Sequence, residues 1–341
     1  MKELSGEERI LRVLEKKETD RVPTFEWYID RKVIEALSPG SDFEKFCYDM
    51  DIDAICVDCN FDKKFLNNGL IQDEWQMIKK DTGESHPYPV DGPIRTLKDA
   101  QQYIPPNPHK HGRYDYVEKA IKEHSGKKAV ILHLNDVFSI PSRLMPFNEF
   151  LMKLIDEPET IKTLVRMSVD INLEMAKEAR KRGIKIVYTG DDYAYNSGPI
   201  VSPGNFRDIF FPELKRVING YKELGLMVIK HTDGNIMSII DMIVKSGFDC
   251  IDPIDPIAGM SLKQIKSEYG DRICIKGNVD CSATLSFKSV QETIEETKKC
   301  IEIGKPGGGY ILSSSNSIHS AVKPENYRAM LETLKQFGQY S

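Results

Sequence analysis

Eight short apolar runs, rich in β-branched residues, recur along this sequence and alternate with stretches of helical periodicity. The predicted strands cover residues 22–28, 53–58, 129–134, 185–189, 226–230, 250–252, 272–276 and 310–313. The helix-patterned stretches around them cover residues 7–17, 143–154, 158–182, 205–224, 235–246, 261–268, 288–303 and 324–337. This alternation is typical of a parallel α/β fold, and eight repeats predict a closed (β/α)8 TIM barrel.

A doubly wound open sheet is the alternative arrangement of such units. No GxGxxG motif follows the first predicted strand, which argues against a dinucleotide-binding version of that sheet. The 341 residues are therefore interpreted as a single barrel domain, residues 1–341. Residues 60–112, after the second strand, are predicted to form an insertion or lid with a β-hairpin near residues 71–79; a surface excursion without function is the alternative.

Composition and charge exclude several classes of protein. The 47 Lys and Arg against 52 Asp and Glu give a net charge of −5, which argues against nucleic acid as the main partner. The 40% hydrophobic content fits a globular chain, and no apolar run approaches the ~20 residues that span a bilayer. The charged N-terminus is unlike a signal peptide, so we expect a cytoplasmic protein with reduced thiols. The seven Cys are scattered and odd in number, which does not suggest a disulfide framework.

Polar side chains follow the carboxyl end of every predicted strand, which is where barrel enzymes carry their catalytic groups. These candidates are Glu26, Asp58, His133, Asn135, Asp136, Asp191, Asp192, His231, Asp233, Asp252, Asp255, Asn278, Asp280, Cys281, Asn316 and His319. Any one of them could be a helix cap or a satisfied core group. If the barrel forms, however, all of them converge on one end, and buried polar groups there must be paired or bind a ligand.

Several of these residues are of metal-ligand type. His231 and Asp233 are two positions apart on one strand end, so their side chains are predicted to face the same side. Cys281 and His319 follow the seventh and eighth strands. A His, Cys and carboxylate set with an open position suits catalytic zinc. The alternative for Cys281 is a small buried hydrophobic residue.

Four segments of this sequence resemble the uroporphyrinogen decarboxylase-like superfamily: ERILRVLEKKETDRVP, HTDGN, GNVDC and SSSNSIHSAVKPENYRAM. The resemblance runs over about residues 5–338 and implies a (β/α)8 barrel. In the decarboxylase branch, an arginine-rich motif after the first strand pairs with the carboxylates of the porphyrinogen. Here that stretch reads VPTFEWYIDRKVIEAL, which lacks the arginine pair and carries Glu26, although Asp58 stands where that branch has its central Asp.

The other branch contains corrinoid-linked methyltransferases, which typically bind zinc through His-x-Cys on strand five and a Cys on strand eight. His231 keeps the first place, whereas Asp233 and Asn316 stand at or near the two Cys positions. The set is similar to the methyltransferase I components of anaerobic O-demethylase systems. The resemblance therefore implies transfer of a methyl group from a methyl ether, typically a methoxylated aromatic, to cob(I)alamin. The sequence has no DxHxxG cobalamin signature around His133, His231 or His319, so the cobalamin is expected on a partner corrinoid protein.

These considerations assign a role to each candidate residue. The sequence does not fix the oligomeric state, and a homodimer is compatible with it. A decarboxylase and a non-catalytic small-molecule binder on the same fold are the alternative functions. The residues expected to carry the chemistry are His231, Asp191, Asp192, Asp233 and Asn316. The residues expected to bind zinc are His231, Asp255 and Cys281. The residues expected to contact substrate are Glu26, Trp27, Tyr28, Asp58, His133, Phe138, Tyr193, Asn278 and His319.

Overall fold

The computed structural model describes residues 3–82 and 87–340. Its strands are, in chain order, β1 Ala54–Val57, β2 Lys63–Phe65, β3 Leu70–Asp73, β4 Ile78–Lys80, β5 Tyr88–Asp91, β6 Ala129–Leu134, β7 Ile186–Gly190, β8 Ala194–Tyr195, β9 Gly198–Pro199, β10 Met227–His231, β11 Cys250–Asp252, β12 Cys274–Val279 and β13 Tyr310–Ser314.

The α-helices lie mostly between these strands. They are α1 Gly6–Leu14, α2 Arg31–Leu37, α3 Phe43–Asp49, α4 Leu97–Gln102, α5 Asp115–His124, α6 Ser139–Arg143, α7 Phe147–Asp156, α8 Pro158–Lys181, α9 Pro203–Asn205, α10 Phe211–Glu223, α11 Ile240–Lys245, α12 Leu262–Tyr269, α13 Thr284–Phe287, α14 Val290–Gly304 and α15 Pro324–Phe337. A 3-10 helix covers Asn67–Gly69, and a π-helical stretch, Phe206–Phe210, joins α9 to α10.

Seven parallel strands form the central sheet in the order β1-β6-β7-β10-β11-β12-β13. They correspond to seven of the eight strands predicted from the sequence. Helices cover the sheet, and its strands are accordingly apolar runs buried almost throughout; every residue of β12 and β13 is buried. This architecture is an α/β fold with a curled parallel sheet, consistent with a TIM-barrel-like fold.

The first predicted strand, residues 22–28, is not a continuous strand. It makes isolated parallel bridges instead, with Thr24 beside Leu312 and Ile29 beside Ile318. Pro23 has no N–H to donate, but its carbonyl accepts from the Leu312 N–H at 3.0 Å, and the Thr24 carbonyl accepts from the Asp53 N–H at 2.8 Å. This short segment therefore hydrogen-bonds to β13 on one side and to the residue preceding β1 on the other.

An ion-pair network fixes the N-terminal segment to the start of β1. Ser5 and Glu8 form a capping box at the start of α1, in which the side chain of each accepts from the backbone N–H of the other. Arg9 donates to Asp20 at 2.6 Å and to Asp53 at 2.9 Å. Arg21 donates to the other oxygen of Asp53 at 2.8 Å. Three charged residues of the ERILRVLEKKETDRVP segment, Arg9, Asp20 and Arg21, thus serve packing at the end of the sheet away from the strand carboxyl ends.

Residues 60–112 carry a second, antiparallel sheet of order β2-β3-β4-β5, together with α4; residues 83–86 of this segment lie outside the described residues. The predicted hairpin is confirmed, because β3 pairs with β4 and Ile71 lies opposite Lys79. The role of this segment as an insertion or lid stays a prediction.

Two predicted helices differ from the structure. Residues 143–154 are divided between α6 and α7, because Pro146 is the N-cap of α7 and interrupts the pattern. Residues 235–246 are helical only over α11, since the preceding residues form the loop that follows β10. Among the described residues, no helix combines the length and the apolar character that crossing a bilayer requires.

Candidate active site

A cavity of about 1130 Å³ lies at the carboxyl ends of the parallel strands. It is lined by the ends of β6, β7 and β10 and by residues of the antiparallel sheet β2–β5. Of the side chains predicted to form the site, those that line this cavity are Trp27, Asp58, His133, Asn135, Asp192, His231, Asp233 and Asn316. The sequence-based expectation that polar strand ends converge is therefore realised for a subset of the candidates.

His231, the last residue of β10, contacts a buried carboxylate through the ring nitrogen that faces away from the cavity. Its Nδ1 lies 2.9 Å from Asp252 Oδ2, at the end of β11. The Tyr188 hydroxyl donates to the same oxygen at 2.5 Å, and the Lys276 ammonium donates to the other Asp252 oxygen at 2.7 Å. Because Nδ1 is engaged, Nε2 is the nitrogen that faces the cavity.

Two further carboxylates surround the Nε2 of His231. Asp192 Oδ1 lies 3.5 Å from this nitrogen and Asp233 Oδ1 lies 3.4 Å from it. The backbone N–H of Asp233 donates to Asp192 Oδ1 at 3.1 Å, and the side-chain amide of Asn316 donates to Asp233 Oδ2. Asp233 Oδ1 itself is buried without a hydrogen-bond partner in the structure. A buried oxygen that accepts no hydrogen bond is costly unless a proton or a cation occupies the space beside it.

The electrostatics of this group favour a protonated imidazole. Burial alone lowers the pKa of His231, but the charge of Asp233, the hydrogen bond to Asp252 and the charge of Asp192 outweigh it and raise that pKa to about 9. Burial raises the pKa of Asp252, but the charge of Lys276 and the contact with His231 prevail and lower it to about 2. Burial, aided by the charge of Asp192, raises the pKa of Asp233.

The same three side chains could hold a divalent cation. One ligand atom each from Asp192, His231 and Asp233 lies within 4.8 Å of the other two. Nitrogen and carboxylate oxygen suit zinc, and a histidine whose second nitrogen is bonded to a carboxylate is the usual arrangement of a metal ligand. Among the described residues, a second group that meets the same criterion, Glu44, Glu123 and His124, lies on α3 and α5.

Two of the three predicted zinc ligands belong to neither group. Asp255 and Cys281 line a neighbouring cavity of about 570 Å³, which shares Asp233 and Asn316 with the first. The Cys281 thiol is buried beside the Ser315 hydroxyl, 3.5 Å away, and burial raises its pKa to about 11. The structure therefore places His231 with the carboxylates of Asp192 and Asp233 rather than with Asp255 and Cys281.

His133 forms a second polar group on the cavity wall. Its Nδ1 lies 2.9 Å from Asp58 Oδ1, and its ring centroid lies 5.2 Å from that of Trp27. The ring also lies directly over Gly190, where an added Cβ would stand 2.5 Å from His133 Nε2. The glycine at the end of β7 thus leaves room for this imidazole.

Asp191 lies behind the cavity wall and is fully buried. Its carboxylate accepts from the Asn135 amide at 2.9 Å and from the Phe138 N–H at 2.6 Å. Burial opposes ionisation, but the neighbouring Asp136 carboxyl and the charge of Lys230 hold the pKa of Asp191 well below its usual range. Asp191 therefore acts on the loop after β6 and does not line the cavity.

Phe138 and Tyr193 pack in the core behind the site. Phe138 contacts Phe150, Tyr193 and Phe210, with ring centroids 5.3–6.1 Å apart. The Tyr193 hydroxyl donates to Asp136 at 2.5 Å, and its ring lies 3.9 Å from the Lys230 ammonium. These two aromatic residues support the strand ends and do not line the cavity.

Four other candidate substrate contacts also lie away from the cavity lining. Glu26 is fully buried and accepts from the N–H and hydroxyl of Ser314, both at 2.8 Å. The Asn278 amide donates to the Ile254 carbonyl at 2.8 Å. Tyr28 and His319 are half-buried and interact locally, as in the Tyr28 hydroxyl contact with Asp30 at 3.4 Å.

Sequence reasoning missed three residues that shape the site. Tyr188 stacks on His231 with ring centroids 5.6 Å apart and planes inclined by 28°. Lys230 and Lys276 are fully buried and neutralise the buried carboxylates. A signal for the lysines was present in the sequence, since each interrupts an apolar strand, in MVIKH and in CIKG. A charge inside such a strand requires a buried partner.

Comparison with protein-family models relates the chain to a known family. The model of the family described as uroporphyrinogen decarboxylase (URO-D) matches residues 78–337. Curated relatives include the uroporphyrinogen decarboxylase of Thioalkalivibrio sulfidiphilus, 21% identical, with 54% of this chain aligned to 51% of the relative. The enzyme of the same name from Alkalilimnicola ehrlichii is 19% identical over 73% of this chain and 68% of the relative. The chain thus spans only about half the length of the first of these relatives.

A solved structure resembles the chain over almost its whole length. A methyltransferase from Methanosarcina mazei has a TM-score of 0.78 with it, and the match covers 98% of this chain and 99% of that one. The sequences are 16% identical, so this likeness establishes the fold.

Proposed function

This chain belongs to the uroporphyrinogen decarboxylase (URO-D) family, and within that family we propose that it is a methyltransferase. Its substrate is a methyl ether, of which a methoxylated aromatic is the best candidate, and the methyl group passes to the cob(I)alamin of a partner corrinoid protein. The observation that carries the proposal is the position of His231 Nε2 at the cavity, 3.5 Å or less from both Asp192 and Asp233. The fold shared with the Methanosarcina mazei methyltransferase supports it.

The chemistry of ether cleavage explains why this group suits the task. A phenolate is a poor leaving group, so the charge that develops on the ether oxygen must be neutralised as the methyl group departs. His231, protonated below its raised pKa of about 9, offers a proton at Nε2. Asp252, kept ionised by Lys276, holds the imidazole by Nδ1 and stabilises its positive charge. Asp192 and Asp233 orient the Nε2–H toward the cavity.

The same residues fit a zinc ion as the alternative source of positive charge. Asp192, His231 and Asp233 would hold it, as the unpartnered Asp233 Oδ1 suggests. When bound, zinc would supply Lewis acidity to the ether oxygen. Cob(I)alamin, when brought by the partner, supplies the nucleophile.

The remaining residues position the donor and exclude water. Trp27, Trp75 and Tyr188 line the cavity and offer flat apolar surfaces to an aromatic ring. We assign residues 60–112 the role of a lid over a single barrel domain, since Trp75 and neighbouring residues of this segment line the cavity. Holding the methyl carbon in line for transfer and displacing water are the main contributions that a protein makes to such a step.

A methyl-transfer assay tests the proposal. The purified protein is mixed with guaiacol and chemically reduced cob(I)alamin, and loss of the cob(I)alamin absorbance is followed. We expect turnover by the native protein and a loss of at least about 100-fold in His231→Gln, because removal of one positioned proton donor costs roughly that factor. Ser197→Ala, a change in the neighbouring cavity, is the control. Near-normal rates in His231→Gln would exclude the assigned role.

Porphyrinogen decarboxylation is the second candidate, and the names of the curated relatives favour it. The group around His231 argues against it, because the carboxylates of Asp192 and Asp233 share one imidazole and leave excess negative charge in the space that a polyanionic porphyrinogen would occupy. Incubation with uroporphyrinogen in the absence of any corrinoid distinguishes the two. Formation of coproporphyrinogen would support the decarboxylase and contradict the methyltransferase.

A further inference from the structure

Among the described residues, the acidic side chains that line the cavity all have basic neighbours, whereas two of the basic side chains have no acidic partner. Each carboxylate of the described lining has a basic side chain beside it: Asp58 lies 2.9 Å from the His133 ring, Asp192 and Asp233 lie within 3.5 Å of the His231 ring, and Asp73 lies 2.6 Å from the Lys79 ammonium. Two further side chains of the described lining are cationic: Lys63, on β2, and Arg143, the last residue of α6. Within residues 3–82 and 87–340, neither makes an ion pair or hydrogen bond through its side chain.

Arg143 is held in place by its backbone even though its side chain is exposed. The next residue, Leu144, is fully buried, and its carbonyl accepts from the Ile94 N–H at 3.0 Å. Leu144 also packs so closely on Gly92 that a Cβ there would lie 2.2 Å from the Leu144 backbone. The guanidinium is therefore presented at the junction between the loop after β6 and the chain that follows β5.

We propose that Arg143, assisted by Lys63, binds an anionic group of the substrate, and that this group is a carboxylate. A guanidinium has a rigid fork of donors that matches a carboxylate with two parallel hydrogen bonds. The inference rests on the proposed function and deepens it. The substrate is then a methyl ether whose ring carries a carboxylate, with the ether directed to His231 and the carboxylate to Arg143.

The His231 group and the two unpaired cations come from different elements of the fold, which supports separate sites for the ether and the carboxylate. The His231 group comes from the ends of β7 and β10, whereas the two unpaired cations come from α6 and β2. A ligand that bridges them occupies a cavity whose lining includes the aromatic side chains of Trp27 and Trp75. A single carboxylate satisfies two cations, in contrast to the many carboxylates of a porphyrinogen, which the acidic side chains near His231 would repel.

Binding of two matched ligands tests the inference without any corrinoid or turnover. Vanillate and guaiacol share the methoxyphenol ring, and only vanillate carries a carboxylate. By isothermal titration calorimetry, we expect vanillate to bind the native protein about tenfold or more tightly than guaiacol, as a charge-assisted hydrogen-bonded pair would give. Arg143→Gln should remove this preference and leave guaiacol binding unchanged, whereas Arg143→Lys should keep part of it.

Lys64→Gln is the matched control for loss of a positive charge. Lys64 is next to Lys63 on β2, is exposed, and does not line the cavity. Equal affinities for vanillate and guaiacol in the native protein would overturn the inference, as would an equal loss for both ligands in Arg143→Gln. Thermal unfolding of each variant confirms that it folds.

The outcomes also separate this inference from the proposed function. An Arg143-dependent preference for vanillate, without methyl transfer, would support the carboxylate site and contradict the methyltransferase. Methyl transfer from guaiacol and vanillate with equal affinity would support the methyltransferase and overturn the carboxylate site. Competition by inorganic phosphate at the vanillate affinity would assign Arg143 to phosphate and likewise overturn it.

Discussion

The ammonium of Lys276 and the carboxylate of Asp252 form a fully buried ion pair, 2.7 Å apart, directly beneath His231. Both side chains have no solvent exposure. Such a pair contributes little net stability compared with apolar residues. Removing one partner is nevertheless strongly destabilising, because it leaves the other charge buried and uncompensated. The pair is therefore placed to fix the charge and orientation of the imidazole above it.

Replacing Lys276 by Met should lower the free energy of unfolding by about 3–5 kcal/mol, because Asp252 would keep its charge without its main partner. Urea unfolding measures the change. Lys263→Met, an exposed lysine on α12, provides the comparison and should have little effect. A loss below about 1 kcal/mol in Lys276→Met would mean that Asp252 is neutral in the folded protein, contrary to its lowered pKa.

Asp53 should be among the most sensitive positions outside the cavity. It is fully buried and accepts from Arg9, Arg21 and the Thr24 N–H at 2.8–3.0 Å. Asp53→Asn leaves two guanidinium groups without their shared carboxylate, so we expect a loss of about 3–5 kcal/mol in unfolding free energy. The exposed Asp271→Asn serves as the control. Equal midpoints for the two variants would contradict the role assigned to Asp53.

The sequence allowed most of the fold to be predicted, because a parallel sheet covered by helices has strongly apolar strands. The exception is residues 22–28, where Pro23 interrupts the hydrogen-bond ladder, so that the segment closes the sheet through single bridges. The apolar pattern of a segment does not show whether its backbone forms a regular hydrogen-bond ladder or only single bridges. The antiparallel sheet in residues 60–112 was predicted only as one hairpin, since β2 and β5 are short and half polar.

The sequence predicted where the site lies, at the carboxyl ends of the strands, but not which side chains point into the cavity. The strand ends place Asp191 and Asp192 side by side in the sequence, but Asp192 lines the cavity and Asp191 turns into the core. Likewise, Cys281 follows β12 but faces a neighbouring cavity. Which way a loop side chain points depends on the backbone of the loop, and no periodicity reports it.

Glu26 should make stability depend on pH in a direction unusual for a carboxyl group. Burial raises its pKa to about 7 in the folded protein, partly offset by Lys276 and Ser314, against a usual value of 4.5. The folded state then holds a proton that the unfolded state releases, so the contribution of Glu26 to stability is most favourable below about pH 4.5 and is lost as the pH rises to about 7. Glu26→Gln removes this loss.

The difference in unfolding free energy between Glu26→Gln and the native protein should therefore grow from pH 5 to pH 8, by up to about 3 kcal/mol in favour of the variant. Denaturant melts at the two pH values measure it. A difference that does not vary with pH would mean that burial does not perturb Glu26. Glu302→Gln, on α14, is the control for loss of a carboxylate.

Gly190→Ala should displace the His133 ring, and we expect it to lower both the free energy of unfolding and the affinity for substrate. The new methyl group would lie 2.5 Å from His133 Nε2, so the ring must rotate away and give up its contact with Asp58. We expect a loss of about 1–3 kcal/mol, the range for overpacking, together with weaker binding of methoxyphenols. Gly204→Ala, where the nearest atoms lie 3.8 Å away, should change neither. Unaltered binding in Gly190→Ala would remove His133 from the substrate site.

Metal content distinguishes the two ligand sets considered for the site. If zinc binds through Asp192, His231 and Asp233, then Asp233→Asn should lose most of the metal because it removes a charged ligand from a three-residue set. Cys281→Ala should keep the metal, because the thiol lies in the neighbouring cavity with a pKa raised to about 11. Plasma emission analysis after dialysis against zinc measures both, with His109→Gln, a surface histidine, as the control. Metal lost in Cys281→Ala but retained in Asp233→Asn would instead favour His231, Asp255 and Cys281.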